Sequence, residues 1–194
     1  MRPLHKIFLL ATTLLGVAGC ATYTVNSDYD ADFDFSALKT FNWTSDSQPE
    51  TGEPRIDNPL LNSKVRSAVN QTLASKGYEK VTSDAADFLV QYHIAIEEKS
   101  DIMTVDTAYP AAGPTAMPGG FNAIGYSAGY RRAESYVVNY EEGTLLIDIV
   151  DPKSEQLIWR GSVQKVVEPS TSPEKKNANI NKAVQKALKA FPPQ

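Results

Sequence analysis

Few side chains in this 194-residue sequence could take part in chemistry. Cys20 is the only cysteine, so the chain cannot form an internal disulfide or a zinc ribbon. The histidines are His5, near the N-terminus, and His93, on the more polar face of a strand-like run. A histidine-based metal site or a Ser-His-Asp arrangement would depend on His93. We expect His93 to be a surface or hydrogen-bonded residue, and we predict no metal site.

Paired carboxylates are the other groups that could act as acid, base or nucleophile. Two pairs lie close together in the sequence, Asp148 with Asp151 and Glu141 with Glu142. Side chains alternate between the faces of a β-strand, so neither pair is expected to converge unless a bulge redirects one member. We therefore predict no catalytic residue and no cofactor. The alternative is an enzyme that uses these carboxylates.

Asp148 has a better explanation as half of a structural ion pair. Alternating apolar residues predict a hairpin over residues 144–167, with its turn at Asp151-Pro152-Lys153-Ser154. In this hairpin Leu157 and Trp159 are predicted to share the core face. Asp148 and Arg160 lie on the opposite face, within reach of each other across the two strands. We predict an ion pair between them and place the hairpin at the centre of the sheet.

Aspartates recur at every second position from Asp28 to Asp34, a spacing that suggests a calcium loop. An EF-hand loop also needs glycine at its sixth position and glutamate at its twelfth. Counted from Asp28, those positions hold Phe33 and Lys39, and the register that starts at Asp30 fails in the same way. We predict a strand or turn whose acidic side chains face solvent.

The N-terminal segment has the pattern of a secretory signal. Arg2 and Lys6 form a basic head, and residues 7–17 are apolar or small and carry no charge. This apolar run is about half of the roughly 20 residues that a membrane-spanning helix needs. It is therefore too short to serve as a stable anchor by itself.

The residues Val17-Ala18-Gly19-Cys20 resemble a bacterial lipobox. The resemblance implies cleavage between Gly19 and Cys20, a thioether-linked diacylglycerol on the Cys20 sulfur, and acylation, for example with palmitate, of the new amino terminus. Three acyl chains would hold the protein stably, because one chain holds only marginally. Ala21, in place of aspartate, favours the outer membrane of a Gram-negative bacterium over the inner membrane.

Length and charge restrict the number of domains and the kinds of partner that we expect for the rest of the chain. We predict a cleaved signal peptide over residues 1–19 and one domain over residues 20–194, which begins with a short tether and has the length of a single domain. The net charge is −4 and becomes more negative when Arg2 and Lys6 leave with the signal. Such a chain offers no electrostatic basis for nucleic acid binding.

Two segments have the periodicity of amphipathic helices. The first, at about 59–76, follows Asn58 and ends before Gly77, and the second, at about 173–191, follows Ser172. The outer face of the second helix carries Lys175, Lys176, Lys182, Lys186 and Lys189. We interpret these lysines as a solvated face; the alternative is a surface that is attracted to anionic head groups.

The strand from Asp87 to Glu98 alternates most clearly, with Phe88 and Val90 on its apolar face. Residues 99–133 differ, because they are rich in proline, glycine and alanine and poor in branched aliphatic residues. We predict a long flexible insertion there, within a hairpin; the alternative is an aromatic-rich arm that contacts a partner. A break or bulge is expected at Glu142-Gly143, where apolar residues change from even to odd positions.

The order of several motifs resembles one protein family. They are Asp34-Phe35-Ser36, Lys39-Thr40-Phe41, Lys76-Gly77-Tyr78, Asp87-Phe88-Leu89-Val90, Glu142-Gly143-Thr144-Leu145 and Leu157-Ile158-Trp159-Arg160-Gly161. The chain is similar to the bacterial lipoproteins known as domain of unknown function 4136, over nearly the whole mature chain. This resemblance implies an envelope lipoprotein with an α+β domain and no assigned catalytic residues.

Together these patterns predict an α+β fold in which two helices pack on one face of an antiparallel-rich sheet. They predict a lipid-anchored envelope protein that faces the periplasm and acts as a binding or structural adaptor, not as an enzyme. Its partners would be the membrane, through lipidated Cys20, and an envelope protein, lipid or glycan. The alternative function is a carboxylate-dependent enzyme that acts on envelope glycan or lipid.

Overall fold

The computed structural model describes residues 23–45, 50–82, 85–109, 130–168 and 172–193. In these residues six strands form one sheet, in the order β1-β6-β5-β4-β2-β3. The strands are β1 (Thr24–Tyr29), β2 (Thr40–Trp43), β3 (Glu79–Lys80), β4 (Phe88–Tyr109), β5 (Tyr130–Val150) and β6 (Leu157–Val166). β2 runs parallel to β3 and β4, and the other neighbours are antiparallel. The predicted α+β fold with a mostly antiparallel sheet is confirmed.

The described residues also form two α-helices, α1 (Pro59–Ser75) and α2 (Pro173–Ala187), which pack together over one face of the sheet. Asn58 and Ser172 cap their first turns by accepting backbone N–H hydrogen bonds. Gly77 follows α1 with a φ of +93°, a conformation that glycine adopts without strain. α2 continues into a 3₁₀ turn, Leu188–Ala190. Both predicted helices are confirmed.

The core lies between the helices and the sheet. Aromatic rings gather around Phe191, which contacts Tyr78, Phe88 and Trp159 at centroid distances of 5.2 to 5.5 Å. A side chain at Gly161 would overlap the Trp159 ring and the backbone of α2. Glycine at this position of β6 therefore allows α2 to approach the sheet closely.

The strands β4 and β5 extend into the segment that we expected to be an insertion. Residues 99–109 and 130–133 belong to these strands, and residues 110–129 lie outside the described part of the chain. We call residues 99–109 and 130–140 the ribbon, because they pair with each other and, among the described residues, with no third strand. Side chains on both of its faces are exposed, including Ile102 (70%) on one face and Met103 (51%) on the other.

The expected break or bulge at Glu142-Gly143 is wrong. β5 keeps its register with β4 and β6 through this position, and the register shift lies between Ile149 and Val150. The apolar residues change from even to odd positions there because the ribbon ends and the buried part of β5 begins. Neither face of the ribbon is buried, so its apolar residues do not mark a core-facing side.

The register shift also changes one predicted core residue. Ile149 pairs with Trp159 and Val150 pairs with Leu157, so Ile158 is an extra residue of β6 with no partner in β5. Ile158 is therefore buried, whereas Leu157, which we predicted on the core face, is 45% exposed. The central pair of the sheet is β4 and β5 rather than the predicted hairpin of β5 and β6, because β1 adds to β6 at one edge and β2 and β3 add beyond β4.

Candidate functional site

An apolar groove opens between the two helices and the sheet. Its volume is about 590 Å³, within the range of small-molecule pockets, about 300 to 1,000 Å³. The N-terminal halves of both helices line it, together with β4, β5 and β6. Its aliphatic lining residues are Leu61, Val65, Ile94, Ile96, Leu145, Val163, Val166, Val167, Ile180 and Ala183.

The groove forms because the helices close over the sheet at one end only. Towards the C-terminal ends of the helices, Leu73 of α1 and Val184 of α2 are fully buried. Towards their N-terminal ends, Leu61 and Ile180 are only partly buried, although they belong to the same apolar stripes. The open part of the core is therefore continuous with the closed part and equally apolar.

One rim of the groove consists of an ion-paired loop. Arg55, which precedes α1, donates hydrogen bonds of 3.0 and 2.9 Å to the two carboxylate oxygens of Glu141 in β5. It also donates to Glu53 at 3.0 Å. Hydrogen bonds from Arg55 to Glu53 and Glu141 raise the pKa of the Arg55 guanidinium above its ordinary value. The rim thus ties the loop before α1 to the sheet.

The opposite rim carries more positive charge. Glu168, which follows β6, pairs with Lys175 of α2 and with Lys165 of β6. Hydrogen bonds from these two lysines lower the pKa of Glu168. Lys176 also lines the groove on this side, so the cations outnumber the carboxylate.

Tyr23 borders the groove just before β1 and lies within a group of three lysines. The amino groups of Lys165, Lys182 and Lys186 are 5.7, 5.6 and 5.2 Å from the centre of its ring, within the range of cation–π attraction. We call these three residues the lysine group. Among the described residues no carboxylate pairs with Lys182 or Lys186, and the buried Tyr23 hydroxyl has no hydrogen-bond partner.

The other face of the sheet carries the predicted ion pair. Arg160 donates two hydrogen bonds of 2.7 Å to the carboxylate of Asp148, which is 4% exposed. This pairing raises the pKa of Arg160. His93 Nε2 lies 2.7 Å from the Gln91 amide nitrogen and 3.9 Å from Asp148 Oδ2. The predicted Asp148–Arg160 pair and the predicted hydrogen-bonded role of His93 are confirmed.

The other carboxylates that we considered for acid–base chemistry each have a separate partner. Asp151 accepts hydrogen bonds from the hydroxyl and amide of Ser154, and these bonds lower its pKa. Glu141 belongs to the ion-paired rim, and Glu142 lies 3.8 Å from the amino group of Lys99. These partners stabilise a turn, a loop and the base of the ribbon.

The aspartate run begins in β1 with Asp28 and continues into turns, as the predicted strand or turn requires. Asp34 caps a 3₁₀ turn, Phe35–Ala37, by accepting hydrogen bonds from the amide and hydroxyl of Ser36, which lower its pKa. Asp30 accepts a hydrogen bond from the Asp32 amide. Within the described ranges, no three acidic, histidine or cysteine side chains lie close enough to hold a metal ion.

Cys20, the predicted site of lipidation, lies with residues 1–19 outside the described residues. It precedes Tyr23 by three residues, so the length of the chain keeps it within about 11 Å of Tyr23. No helix in the described ranges is long and apolar enough to span a bilayer.

Comparison with protein families decides the family of the chain. The model of a family described as domain of unknown function (DUF4136) matches residues 25–193. The chain belongs to this family. The match includes both helices and nearly all of the sheet, so the family resemblance of the sequence motifs is confirmed.

Comparison with individual proteins adds information on the fold alone. No curated protein matches the sequence. A PDZ domain protein from Parabacteroides distasonis ATCC 8503 has a TM-score of 0.54 at 14% identity, over 89% of this chain and 36% of that chain. This chain thus spans about a third of that structure. A PelC dodecamer from Paraburkholderia phytofirmans has a TM-score of 0.44 at 8% identity, over 86% of this chain and 95% of that chain.

Periodicity did not indicate the groove. Ile94 and Ile180 follow the same patterns as fully buried residues, and their partial exposure depends on how far the helices extend over the sheet. The lysine group was missed for a related reason. The spacing of four between Lys182 and Lys186 places them on one side of α2, but only the folded chain brings Lys165 and Tyr23 to the same place.

Proposed function

We propose that this protein is a lipid-anchored component of the cell envelope that binds a partner in the apolar groove and carries out no enzymatic reaction. In this proposal residues 1–19 are a signal peptide, and Cys20 carries the lipid after cleavage. The domain then faces the periplasm from the outer membrane. Its role is that of an adaptor, which holds an envelope protein, lipid or glycan near the membrane.

The groove is the observation that carries the binding role. More than half of its lining residues are aliphatic, and its charged lining residues are those of the two rims. Sites that bind ligands commonly combine an apolar lining with a few polar groups that set orientation. The candidate carboxylates favour this role over chemistry, since each is engaged with a partner that stabilises the fold.

The anchor is supported by the lipobox-like residues Val17-Ala18-Gly19-Cys20 and by the short distance along the chain from Cys20 to Tyr23. A lipid on Cys20 would hold the groove close to the membrane surface, because three residues span at most about 11 Å. The rest of the sequence supplies no second thiol that could carry a lipid.

The Cys20→Ser variant tests the anchor. The unsubstituted protein is expected in the membrane fraction and in the detergent phase, with the added mass of a diacylglycerol and an acyl chain at residue 20. The variant should lack this mass and leave the membrane, while its circular dichroism spectrum stays unchanged. A variant that still fractionated with membranes in the detergent phase would exclude this anchor.

Photo-crosslinking in intact cells tests the groove as the binding site. A benzophenone amino acid at Ile96, in the groove, should capture a defined partner. The same amino acid at Ser154, in the exposed turn between β5 and β6, serves as the matched control. Equal capture at both positions would contradict binding in the groove, and turnover of a cell-wall fragment by the purified protein would instead favour the enzyme.

A further inference from the structure

We infer that the groove binds one acyl chain of an anionic membrane phospholipid, whose phosphate contacts the lysine group. This inference rests on the proposed function, because the lipid anchor supplies the nearby membrane. It goes beyond that function by naming the chemistry of the ligand and the residues that recognise each of its parts.

The shape and chemistry of the groove fit an acyl chain. Branched aliphatic side chains, Ala183 and the ring of Tyr23 form the apolar part of its lining, and the charged residues of the two rims, Thr144 and Asn179 form the polar part. A lining of this kind offers dispersion contacts along its length but few hydrogen bonds, which suits a hydrocarbon better than a glycan. The rim pair of Arg55 and Glu141 neutralises itself, so it attracts neither sign of charge strongly.

The charge at the Tyr23 side of the groove fits an anionic head group. Lys165, Lys182 and Lys186 place three ammonium groups within 5.7 Å of one ring centre. Lys165 shares its charge with Glu168, whereas no carboxylate of the described residues pairs with Lys182 or Lys186. The positive charges gathered around this ring repel one another, and a phosphate beside them would reduce that repulsion.

The position of the lysine group in the chain favours a membrane lipid over a soluble ligand. Tyr23, at the centre of the group, is three residues from Cys20. If Cys20 is anchored, the lysine group is held within about 11 Å of the anchored residue, at the level where phosphates are most concentrated. Lysines near an anionic surface are attracted to it, and the remaining lysines on α2 would act in the same direction.

The first experiment extends the photo-crosslinking at Ile96 to lipids. Mass spectrometry of the protein crosslinked in cells should show a phospholipid adduct at Ile96 and none at Ser154. Crosslinking of a protein or a glycan at Ile96 without lipid would overturn this inference and leave the proposed adaptor function intact. Loss of membrane attachment in Cys20→Ser is measured separately, so failure of the anchor and failure of the lipid site are distinguishable.

The second experiment measures head-group selectivity. Full-length lipidated protein is purified in mild detergent and titrated with phosphatidylglycerol or phosphatidylcholine, and bound lipid is counted by native mass spectrometry. We expect one phosphatidylglycerol per chain, bound roughly tenfold or more tightly than phosphatidylcholine, because two lysines without a carboxylate partner attract a head group of net negative charge more than a zwitterionic one. Equal binding of both lipids, or binding of neither, would overturn the inference.

Two variants connect that selectivity to the lysine group. The double substitution Lys182→Ala and Lys186→Ala should abolish the preference for phosphatidylglycerol. The control double substitution Lys153→Ala and Lys189→Ala removes the same charge from exposed positions outside the groove and should retain it. Equal loss in both double variants would show that net charge, and not the lysine group, selects the lipid.

Discussion

At the scale of single residues, Asp148 is the carboxylate whose position most resembles that of a functional group, and its environment explains it otherwise. It is buried, yet both of its oxygens accept hydrogen bonds from Arg160. Such a bidentate pair fixes both side chains and links β5 to β6. The buried carboxylate of Asp148 therefore stabilises the sheet.

Substitution Asp148→Asn measures this link. The amide cannot accept both hydrogen bonds, so Arg160 loses a partner, and we expect the free energy of unfolding to fall by about 1 to 3 kcal/mol. Urea denaturation measures the change. The control Asp106→Asn, on the exposed ribbon, should alter stability by less than about 0.5 kcal/mol. Equal effects of the two substitutions would contradict a structural role for the pair.

A second single residue, Tyr92, is expected to make the stability of the fold depend on pH. Its hydroxyl donates a 2.8 Å hydrogen bond to Asn62 in the core, and burial raises its pKa to about 12. A tyrosine in the unfolded chain ionises near pH 10. Between pH 10 and 12 the unfolded state therefore loses its proton first, and the stabilisation that is complete below pH 10 is lost as the pH rises.

Thermal unfolding at a series of pH values tests this prediction. The decline of Tm between pH 10 and 12 should be shallower in Tyr92→Phe than in the unsubstituted protein. Tyr78, whose pKa burial also raises, provides a comparison, since Tyr78→Phe should reduce the decline as well. Identical declines in all three proteins would show that buried tyrosines do not control alkaline unfolding.

At the scale of elements, Asp87 positions β2 beside β4. Its Oδ2 accepts hydrogen bonds from the amides of Lys39 and Thr40 and from the Thr40 hydroxyl. These bonds, first of all the one from the hydroxyl, lower the pKa of Asp87. One side chain thus compensates for the small number of backbone pairs between these parallel strands.

Substitution Asp87→Ala should lower the free energy of unfolding at pH 7 by about 1 kcal/mol. Because the folded-state pKa is lowered, this stabilisation is present above the ordinary aspartate pKa and is lost as the pH falls through the folded value. Denaturation curves at pH 7 and at pH 2 to 3 measure both effects. A difference that stayed the same at acid pH would contradict an ionised Asp87 as the acceptor.

The ribbon is the element with the weakest support. No third strand pairs with it in the part of the chain that the structure describes, and its side chains are exposed on both faces. Isolated two-stranded hairpins are marginally stable. We expect the amides of residues 99–109 to exchange with deuterium faster than those of residues 88–96 in the same strand. Mass spectrometry of peptides from the two halves of β4 measures the ratio, and equal protection would show that something covers the ribbon.

At the scale of the whole molecule, the groove lies beside Tyr23, the first residue that the structure describes. Tyr23 is a groove residue at the centre of the lysine group, and it follows Cys20, the predicted anchor, by three residues in the sequence. In our proposal this side of the domain therefore faces the membrane. The ribbon extends from the middle of the sheet, where β4 and β5 continue beyond Glu97 and Glu142.

Substitution Ala183→Leu tests the groove as an open volume. Leucine is a good helix former, and its side chain would occupy part of the groove, so Tm should stay unchanged or rise by a few degrees. Lipid binding should fall at least fivefold by native mass spectrometry. If the Ala183→Leu substitution lowered Tm instead, Ile96→Asn would replace it, and undiminished lipid binding in a folded variant would contradict the groove as the site.

Much of the fold could be predicted from the sequence because its signals are local. Proline after Asn58 and after Ser172 defines where each helix begins, and alternation around Phe88 and Val90 defines a strand. Pairing across a hairpin follows from its turn, which is why the Asp148–Arg160 contact could be predicted. The family could likewise be recognised from the order of short motifs.

Only the tertiary structure decided the rest. Whether Leu157 or Ile158 is buried depends on a register shift between two strands, and whether Ile180 lines a groove or a closed core depends on the reach of two helices. The lysine group and Tyr23 come from β6, α2 and the residue before β1, which lie far apart in the sequence. Periodicity reports which face of an element is apolar, but the neighbours that cover that face are set by packing across the whole chain.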